Sequence, residues 1–250
     1  MKIEEEYLIP ILKTAKDSIS LNVNPSKLNT RLLYCHDSME KINNKLVFKY
    51  IKWGEGQKYH KISSVKNRRL WYDVGFKSSP DGIILRRVGE RMPVFYANGV
   101  LEDNNLFGII FKQKDKVLKN LALLNSTWGR LDLEINTRQL TGAQAVADTN
   151  VYVVKELKLL DLEDLNDQFL KRLEEIFKSL LNRECFSIFN ELGVVSHQPI
   201  RSQKPNPLPD RKALDDVVFD IFGLTQEERN EVYWSVCELV KNRLEKARSV

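Results

Sequence analysis

Cysteine and histidine are scarce in this 250-residue sequence, which contains three of each. Cys35, Cys185 and Cys237 are far apart and form no C-x-x-C pair, so we predict reduced thiols in the core rather than disulfides. Two potential metal ligands adjoin only at Cys35 and His36, without the spacing of a zinc site, and we interpret them as a structural pair. No metal site is predicted.

Long uncharged segments are also missing, so no stretch of the sequence approaches the length of a transmembrane helix. The N-terminal M-K-I-E-E-E is acidic where a secretory signal would need basic residues followed by an apolar run. Hydrophobic residues make up 42% of the chain and charged residues 29%, which is ordinary for a soluble globular protein. We predict a cytoplasmic protein without membrane association.

Signatures of nucleotide and cofactor binding are absent, since the sequence has no G-x-x-x-x-G-K-[ST], no H-E-x-x-H and no G-x-G-x-x-G. An adenine methyltransferase would need a glycine-bearing turn after its first strand and an Asn-Pro-Pro-Tyr type loop for a flipped-out base. The segments N-P-S at 24–26 and N-P-L at 206–208 lack the second proline and the aromatic residue. We therefore predict no catalytic residue and no cofactor in this chain.

A metal-dependent nuclease is the enzyme class that the acidic residues leave open. Pro80-Asp81 and the later Glu156-x-Lys158 supply acids and a lysine, but they are far apart and the pattern is common by chance. We interpret both segments as structural.

Positive charge is concentrated in the middle of the chain. Residues 41–140 contain 19 Lys and Arg against 9 Asp and Glu, a net charge of +10, although the whole chain carries only +5. The flanking residues, 1–40 and 141–250, together carry −5. A basic centre between mildly acidic ends produces a localised field that suits a polyanion.

Aromatic residues are interleaved with these cations, at Tyr50, Trp53, Tyr59, Trp71 and Tyr72. This mixture favours nucleic-acid binding, because the rings can stack while the cations contact phosphates. The alternative interpretation is a solvated lysine-rich surface. The residues predicted to contact DNA in this region are Lys52, Trp53, Lys58, Lys61, Lys66, Arg68 and Arg69.

Three short apolar segments follow at residues 82–88, 92–97 and 106–111. They are rich in Ile, Val, Phe and Tyr and are bounded by Gly, Pro, Asp or Asn, which predicts strands. Arg86 and Arg87 are adjacent in the first segment and are candidates for DNA contact. Because neighbouring strand residues point to opposite faces, we expect at most one of the two to face the DNA.

A polar insert, residues 135–142, is predicted as a loop between a helix at 118–126 and a strand at 151–160. Arginine, asparagine and glutamine can form paired hydrogen bonds with guanine or adenine edges, so this loop could read bases in a groove. The alternative is a turn held by the asparagine, with the arginine in solvent. The candidates in the insert are Asn136, Arg138 and Gln139.

The second half of the chain is predicted to be helical. Residues 161–181 place apolar side chains on one stripe of an amphipathic helix. Prolines then mark a linker at 199–209. Asp210 is predicted to cap a helix that ends at Gly223, and a capping box, T-x-x-E at 225–228, is predicted to start the last helix.

The N-terminal segment is predicted to contain a helix over Glu4–Lys16 and an edge strand that begins at Ile19 and stops near Pro25. The whole pattern predicts an α+β fold, with a mixed or antiparallel β platform, packed helices and a helical C-terminal tail. We expect a basic DNA-recognition domain over residues 1–160 and a helical region over 161–250.

Several segments together resemble a known family. They are Trp71-Tyr72, L-L-N-S at 123–126, I-N-T-R-Q-L at 135–140, L-K-L-L-D at 157–161, L-P-D-R-K-A-L-D-D-V-V-F-D at 208–220, G-L-T at 223–225, Glu228-Arg229 and R-L-E-K-A-R-S at 243–249. Their order, across most of residues 30–250, is similar to that of the C-terminal target-recognition domain of TaqI-like adenine-specific DNA methyltransferases, the modification or fused restriction-modification enzymes.

The resemblance implies a lobe that binds duplex DNA and selects the site, while another module holds S-adenosylmethionine and methylates the adenine amino group. This chain shows no such module, so the resemblance predicts recognition without catalysis by the chain alone. A catalytic methyltransferase or endonuclease subunit would be its partner.

Two other classes stay open. A protein-interaction module would bury the aromatic residues in a core and dock through the helical tail. A protein that binds structured RNA would present the same basic face.

Overall fold

The computed structural model describes residues 2–139 and 146–248, without the side chains of residues 138, 139, 247 and 248. Its α-helices are α1 (Leu46–Gly56), α2 (Val117–Asn125), α3 (Thr127–Asn136), α4 (Val151–Glu156), α5 (Asp167–Leu180), α6 (Ile188–Leu192), α7 (Pro209–Phe222) and α8 (Gln226–Arg248). Its strands are β1 (Leu8–Leu12), β2 (Arg31–Leu33), β3 (Gly82–Leu85), β4 (Arg87–Val88), β5 (Val94–Tyr96), β6 (Leu101–Glu102), β7 (Leu106–Ile109), β8 (Arg138–Gln139) and β9 (Ala147–Asp148). Residues 140–142 of the polar insert lie outside the described residues.

The described strands form small sheets in the orders β2-β1-β6, β5-β3-β7 and β4-β9-β8. Only the β1–β6 pair is parallel, and every other pair is antiparallel. The predicted α+β class is therefore confirmed, with mixed or antiparallel sheets and a helical C-terminal end. Within the described ranges, no helix is both long enough and apolar enough to span a bilayer.

Most of the predicted elements are confirmed in place. The three apolar segments form β3 with β4, β5 and β7, and the helix predicted at 118–126 is α2. The amphipathic helix is α5, which begins at Asp167 rather than at residue 161. Gly223 ends α7 in the left-handed conformation, with φ 66°. The capping box of α8 also forms, since the Glu228 carboxylate accepts from the Thr225 N–H at 2.8 Å.

The predicted N-terminal helix is wrong. Its residues form β1, flanked by short 3-10 turns at Glu5–Tyr7 and Ala15–Asp17. Pro10 explains the difference, because proline inside a helix removes a hydrogen bond and clashes with the preceding turn. In the sheet, Pro10 lies opposite Arg31 of β2.

Three further predictions need correction. The edge strand expected from Ile19 does not form, and residues Pro25–Lys27 make a 3-10 turn before β2. The strand expected at 151–160 is instead α4, because the Asn150 side chain accepts from the Val153 N–H at 3.0 Å and caps a helix. Pro209, not Asp210, begins α7.

Two apolar clusters make up the core of the described chain. The larger one includes residues from Leu12 to Val240, so residues before and after position 160 share one core. The predicted domain boundary at residue 160 therefore stays a prediction. The smaller one is built from Tyr7, Cys35, Ile42, Val47, Ile51 and Tyr72. The three cysteines are free and buried, as predicted.

A buried ionic network joins the helices of the C-terminal half. The Arg211 side chain is 1% exposed and donates to the Glu191 carboxylate at 3.1 Å and to the carbonyl oxygen of Asn125. Arg183 donates to both oxygens of Glu191, at 2.8 and 2.7 Å, and also to Asp210. Burial alone would raise the pKa of Glu191, but the neighbouring guanidinium groups lower it to about 2.

The same network fixes the junction of α2 and α3. The Asn125 side chain accepts from the Val94 N–H at 3.1 Å and donates to the Val94 and Leu121 carbonyls, both at 2.8 Å, so it extends the edge of β5. Asp215 accepts from the N–H and the hydroxyl of Thr127 at 2.7 and 2.6 Å, at the start of α3. Packing of α7 is thereby coupled to the platform.

Replacing Glu191→Gln should lower the free energy of unfolding at pH 7 by about 3 to 5 kcal/mol, because it leaves buried guanidinium charge without compensation. Glu231→Gln is the matched control, since its exposed partner Arg201 makes a surface ion pair whose loss should cost at most about 1 kcal/mol. Urea denaturation measures both variants, and an equal effect of the two would contradict the network's role.

The same carboxylate predicts an acid dependence. Its folded pKa of about 2 lies below the ordinary 4.5, so its stabilisation is complete above about pH 4.5 and is lost as the pH falls through the folded value. Wild-type stability should therefore fall more steeply between pH 4.5 and 2 than that of Glu191→Gln.

Candidate nucleic-acid interface

The predicted cationic and aromatic residues lie in a segment that we call the basic module, residues 45–77. Its core is the smaller apolar cluster, against which α1 packs Val47 and Ile51. Gly54 is required by close packing, because a Cβ there would lie 2.7 Å from the Trp71 ring. The remaining face of α1, including Lys52 and Trp53, is exposed.

The N-terminal segment anchors this module. The Glu4 carboxylate accepts from the Leu46 N–H at 2.6 Å and from the Val47 N–H at 3.0 Å, at the start of α1. Desolvation opposes the charged form, but these hydrogen bonds and the nearby Lys45 charge hold the pKa of Glu4 below its ordinary value. An acid at a helix N-terminus also compensates the helix dipole.

After α1 the chain forms consecutive turns. Lys58 adopts a left-handed conformation with φ 63°, and a 3-10 turn follows at Tyr59–Lys61. The Lys66 N–H then donates to the Ile62 carbonyl at 2.9 Å. These turns are exposed almost throughout, and none of their residues belongs to the smaller apolar cluster.

The structure exposes every cation predicted in the module. Lys58, Lys61 and Lys66 form no ion pair within the described residues. Lys52 is instead paired with Glu55 at 2.9 Å. Arg68 donates to the Asp73 carbonyl at 2.9 Å, and Arg69 is exposed beside it. The unpaired lysines are suited to phosphates, which impose little orientation on a flexible stem.

The aromatic residues divide between surface and core. Trp53 and Tyr59 are 42% and 43% exposed, and their ring centroids lie 5.8 Å apart. Tyr50 continues this surface cluster, 5.4 Å from Trp53. Tyr72 is buried and donates its hydroxyl to the Asp37 carbonyl at 2.7 Å. Of these four rings, those of Trp53, Tyr59 and Tyr50 are accessible to a ligand, and that of Tyr72 is not.

The second group of candidates meets in the sheet β4-β9-β8. Arg87 of β4 and Arg138 of β8 are both paired in register with Asp148 of β9. Arg86 lies in the bend between β3 and β4, with its Nε 3.7 Å from the Asp148 carboxylate. Both Arg86 and Arg87 are exposed, because this bend interrupts the alternation expected of one continuous strand.

Residues 135–139 of the polar insert do not form the predicted loop. Asn136 is the last residue of α3 and is exposed, while Arg138 and Gln139 form β8. The Asn136 amide donates to the backbone and side chain of Asp132 at 2.8 and 3.0 Å, so its nitrogen is already engaged. The capping of α3 by Ser126, which accepts from the Gly129 N–H at 3.1 Å, explains the extra helix.

The two acids considered for a metal-dependent nuclease, Asp81 and Glu156, lie in different surroundings. Asp81 accepts from the Phe111 N–H at 2.8 Å and from Lys114 at 2.6 Å, which ties β3 to the segment after β7. Glu156 is exposed at the end of α4. His36 contacts Asp73 at 2.7 Å. Across residues 2–139 and 146–248, no three His, Cys, Asp or Glu side chains cluster as a metal site would require.

Sequence reasoning missed one exposed ring in the module. Phe76 is 87% exposed in D-V-G-F-K-S-S, residues 73–79. The signal was present, since an aromatic residue between Gly75 and Lys77 lies in a turn rather than in an apolar run.

The exposed cations of the basic module and the arginines of the β4-β9-β8 sheet belong to an α+β protein. The family model for the C-terminal domain of the type II methyltransferase M.Eco57I matches residues 10–180. The chain therefore belongs to this family of methyltransferase C-terminal domains. The resemblance to restriction-modification methyltransferases is confirmed at that level, and the TaqI-like assignment stays a prediction.

A solved structure shares the fold. It is that of the type IIG restriction endonuclease BpuSI, with a TM-score of 0.62 and 14% sequence identity. The match covers 98% of this chain and 27% of the BpuSI chain, so this chain spans about a quarter of that protein's length. No curated protein sequence matches the chain significantly.

The packing of α1 gives a direct prediction. Gly54→Ala should destabilise the protein by about 1 to 3 kcal/mol, because the new methyl group would displace the Trp71 ring. Gly56→Ala is the control in the same helix, since a Cβ there meets nothing within 4 Å and should be neutral or stabilising by up to about 1 kcal/mol. Chemical denaturation measures both, and equal stability of the two variants would contradict this packing.

Proposed function

We propose that this chain is the DNA target-recognition part of a restriction-modification adenine methyltransferase. The basic module binds the phosphate backbone of duplex DNA, and the sheet β4-β9-β8 supplies side chains that read bases. The observation that carries the proposal is the set of exposed lysines without ion-pair partners in the described chain, Lys58, Lys61 and Lys66. Membership of a methyltransferase C-terminal family supports it.

The catalytic step belongs to another module in this proposal. S-adenosylmethionine is held there, by a methyltransferase or endonuclease subunit or domain, and this chain selects the site. The small share of the BpuSI chain that the fold match covers, 27%, supports such a division. TaqI-like adenine specificity rests on the resemblance of the sequence segments.

Affinity for duplex DNA should fall steeply with salt, because each phosphate contact releases counterions and contributes about 0.9 to the slope of log K against log salt. Lys66→Ala should reduce that slope by about 0.9 through loss of one contact. Lys171→Ala, an exposed lysine of α5 without an ion pair in the described chain, should leave it unchanged. Fluorescence anisotropy across a salt series measures this.

The competing functions give different results in the same assay. Duplex DNA should displace the labelled duplex better than structured RNA does. A flat salt response would contradict phosphate binding, and tighter binding of RNA would favour the RNA-binding alternative. Absence of binding to either nucleic acid would favour a protein-interaction module.

Base reading gives a separate prediction. Arg138→Ala should cost about 1 to 3 kcal/mol on the preferred sequence, found by selection from random duplexes, and little on random DNA. Lys66→Ala should weaken both about equally, since a phosphate contact carries no sequence information. An equal loss on both DNAs for Arg138→Ala would make Arg138 a phosphate contact.

A further inference from the structure

Phe76 is the most exposed large hydrophobic side chain among the described residues, at 87%. Single exposed apolar residues are ordinary on protein surfaces, so exposure alone assigns no role. Three further features of its surroundings distinguish this residue: a restrained loop, an aromatic support and nearby positive charge.

The loop that carries Phe76 is held on both sides. The Asp73 carboxylate accepts from the Gly75 N–H at 2.7 Å, and Gly75 takes φ 75°, a conformation that favours glycine. On the other side, the Lys77 N–H donates to the Tyr34 hydroxyl at 2.9 Å. These contacts reduce the conformational entropy that the ring would lose on binding a ligand.

One face of the Phe76 ring packs against a second aromatic side chain, that of His36. The ring stacks on the imidazole of His36, with centroids 4.1 Å apart and an interplanar angle of 29°. Tyr34 meets the same imidazole edge-on, at 4.5 Å. His36 is oriented by Asp73, whose carboxylate lies 2.7 Å from its Nδ1. The Phe76 ring therefore extends a short aromatic stack outward into solvent.

Cationic residues lie near Phe76 in the chain and around Asp73 of its loop. Lys77 is adjacent and exposed, and Arg68 donates to the Asp73 carbonyl at 2.9 Å. Arg69 is exposed and follows Arg68 in the chain. An apolar protein partner would have to desolvate these cations, whereas a nucleic acid offers phosphates to them and a flat base to the ring.

We propose that Phe76 stacks on a base of duplex DNA at a step where that base is unstacked or unpaired. The proposal rests on the proposed function and adds a specific contact to it. A restrained exposed ring next to Lys77 can occupy the space left when a base step opens, as apolar wedges do in other DNA-binding proteins. The occupant is a nucleobase rather than a protein side chain.

Two duplexes that differ by one unpaired nucleotide test the proposal. An unpaired base costs less to unstack, so wild-type protein should bind the bulged duplex more tightly than the matched one. Phe76→Ala should weaken binding to the bulged duplex by about 5- to 100-fold and remove the preference. Phe76→Trp, which keeps a stacking ring, should retain it.

Tyr152→Ala is the matched control, because Tyr152 is 71% exposed on α4 and lies outside the basic module. Wild-type affinity for the bulged duplex in Phe76→Ala, or a similar loss in Tyr152→Ala, would overturn the stacking proposal alone. Failure of the wild-type protein to bind any duplex would overturn the proposed function as well, so the two failures are distinguishable.

Discussion

Arg211 places a guanidinium group where only 1% of the side chain is exposed, and its hydrogen bonds reach Glu191 and the Asn125 carbonyl. Burying a charge costs much free energy unless the charge is paired and hydrogen-bonded. The positions of α2, α6 and α7 are therefore interdependent, since each supplies one of these groups. Two segments that carried the family resemblance, L-L-N-S at 123–126 and the one at 208–220, meet in this network. Their residues serve the scaffold rather than a ligand.

The basic module packs on the smaller apolar cluster, which is separate from the larger one. Its surface residues are therefore not needed to pack the larger cluster. Only a few apolar residues, Val47 and Ile51 among them, are needed to hold α1. The rest of the module can expose cations and rings. The arginines of the β4-β9-β8 sheet depend instead on the larger cluster, to which Val88 and Ala147 belong. In the proposed function, backbone binding and base reading depend on different parts of the core.

Local signals predicted local structure well. The strands between residues 82 and 111 follow from short apolar runs, and Gly223 and the Thr225 capping box end and start helices as expected. Errors arose where one residue overrode a longer pattern, as Pro10 and the Asn150 cap did. The exposed cations of the module were predictable from composition. The pairing of β4 with β9 was not, because Arg87 and its partner Asp148 are far apart in the chain and the register between such distant segments leaves no local signal in the sequence.

Contact between the basic module and DNA can be measured by lysine acetylation read by mass spectrometry. With saturating duplex DNA, we expect reduced acetylation of Lys58, Lys61 and Lys66, which are exposed and form no ion pair within the described chain. Lys171 of α5 is also exposed and should be acetylated at the same rate with and without DNA. Unchanged acetylation of the three module lysines at saturation would show that the module does not contact DNA.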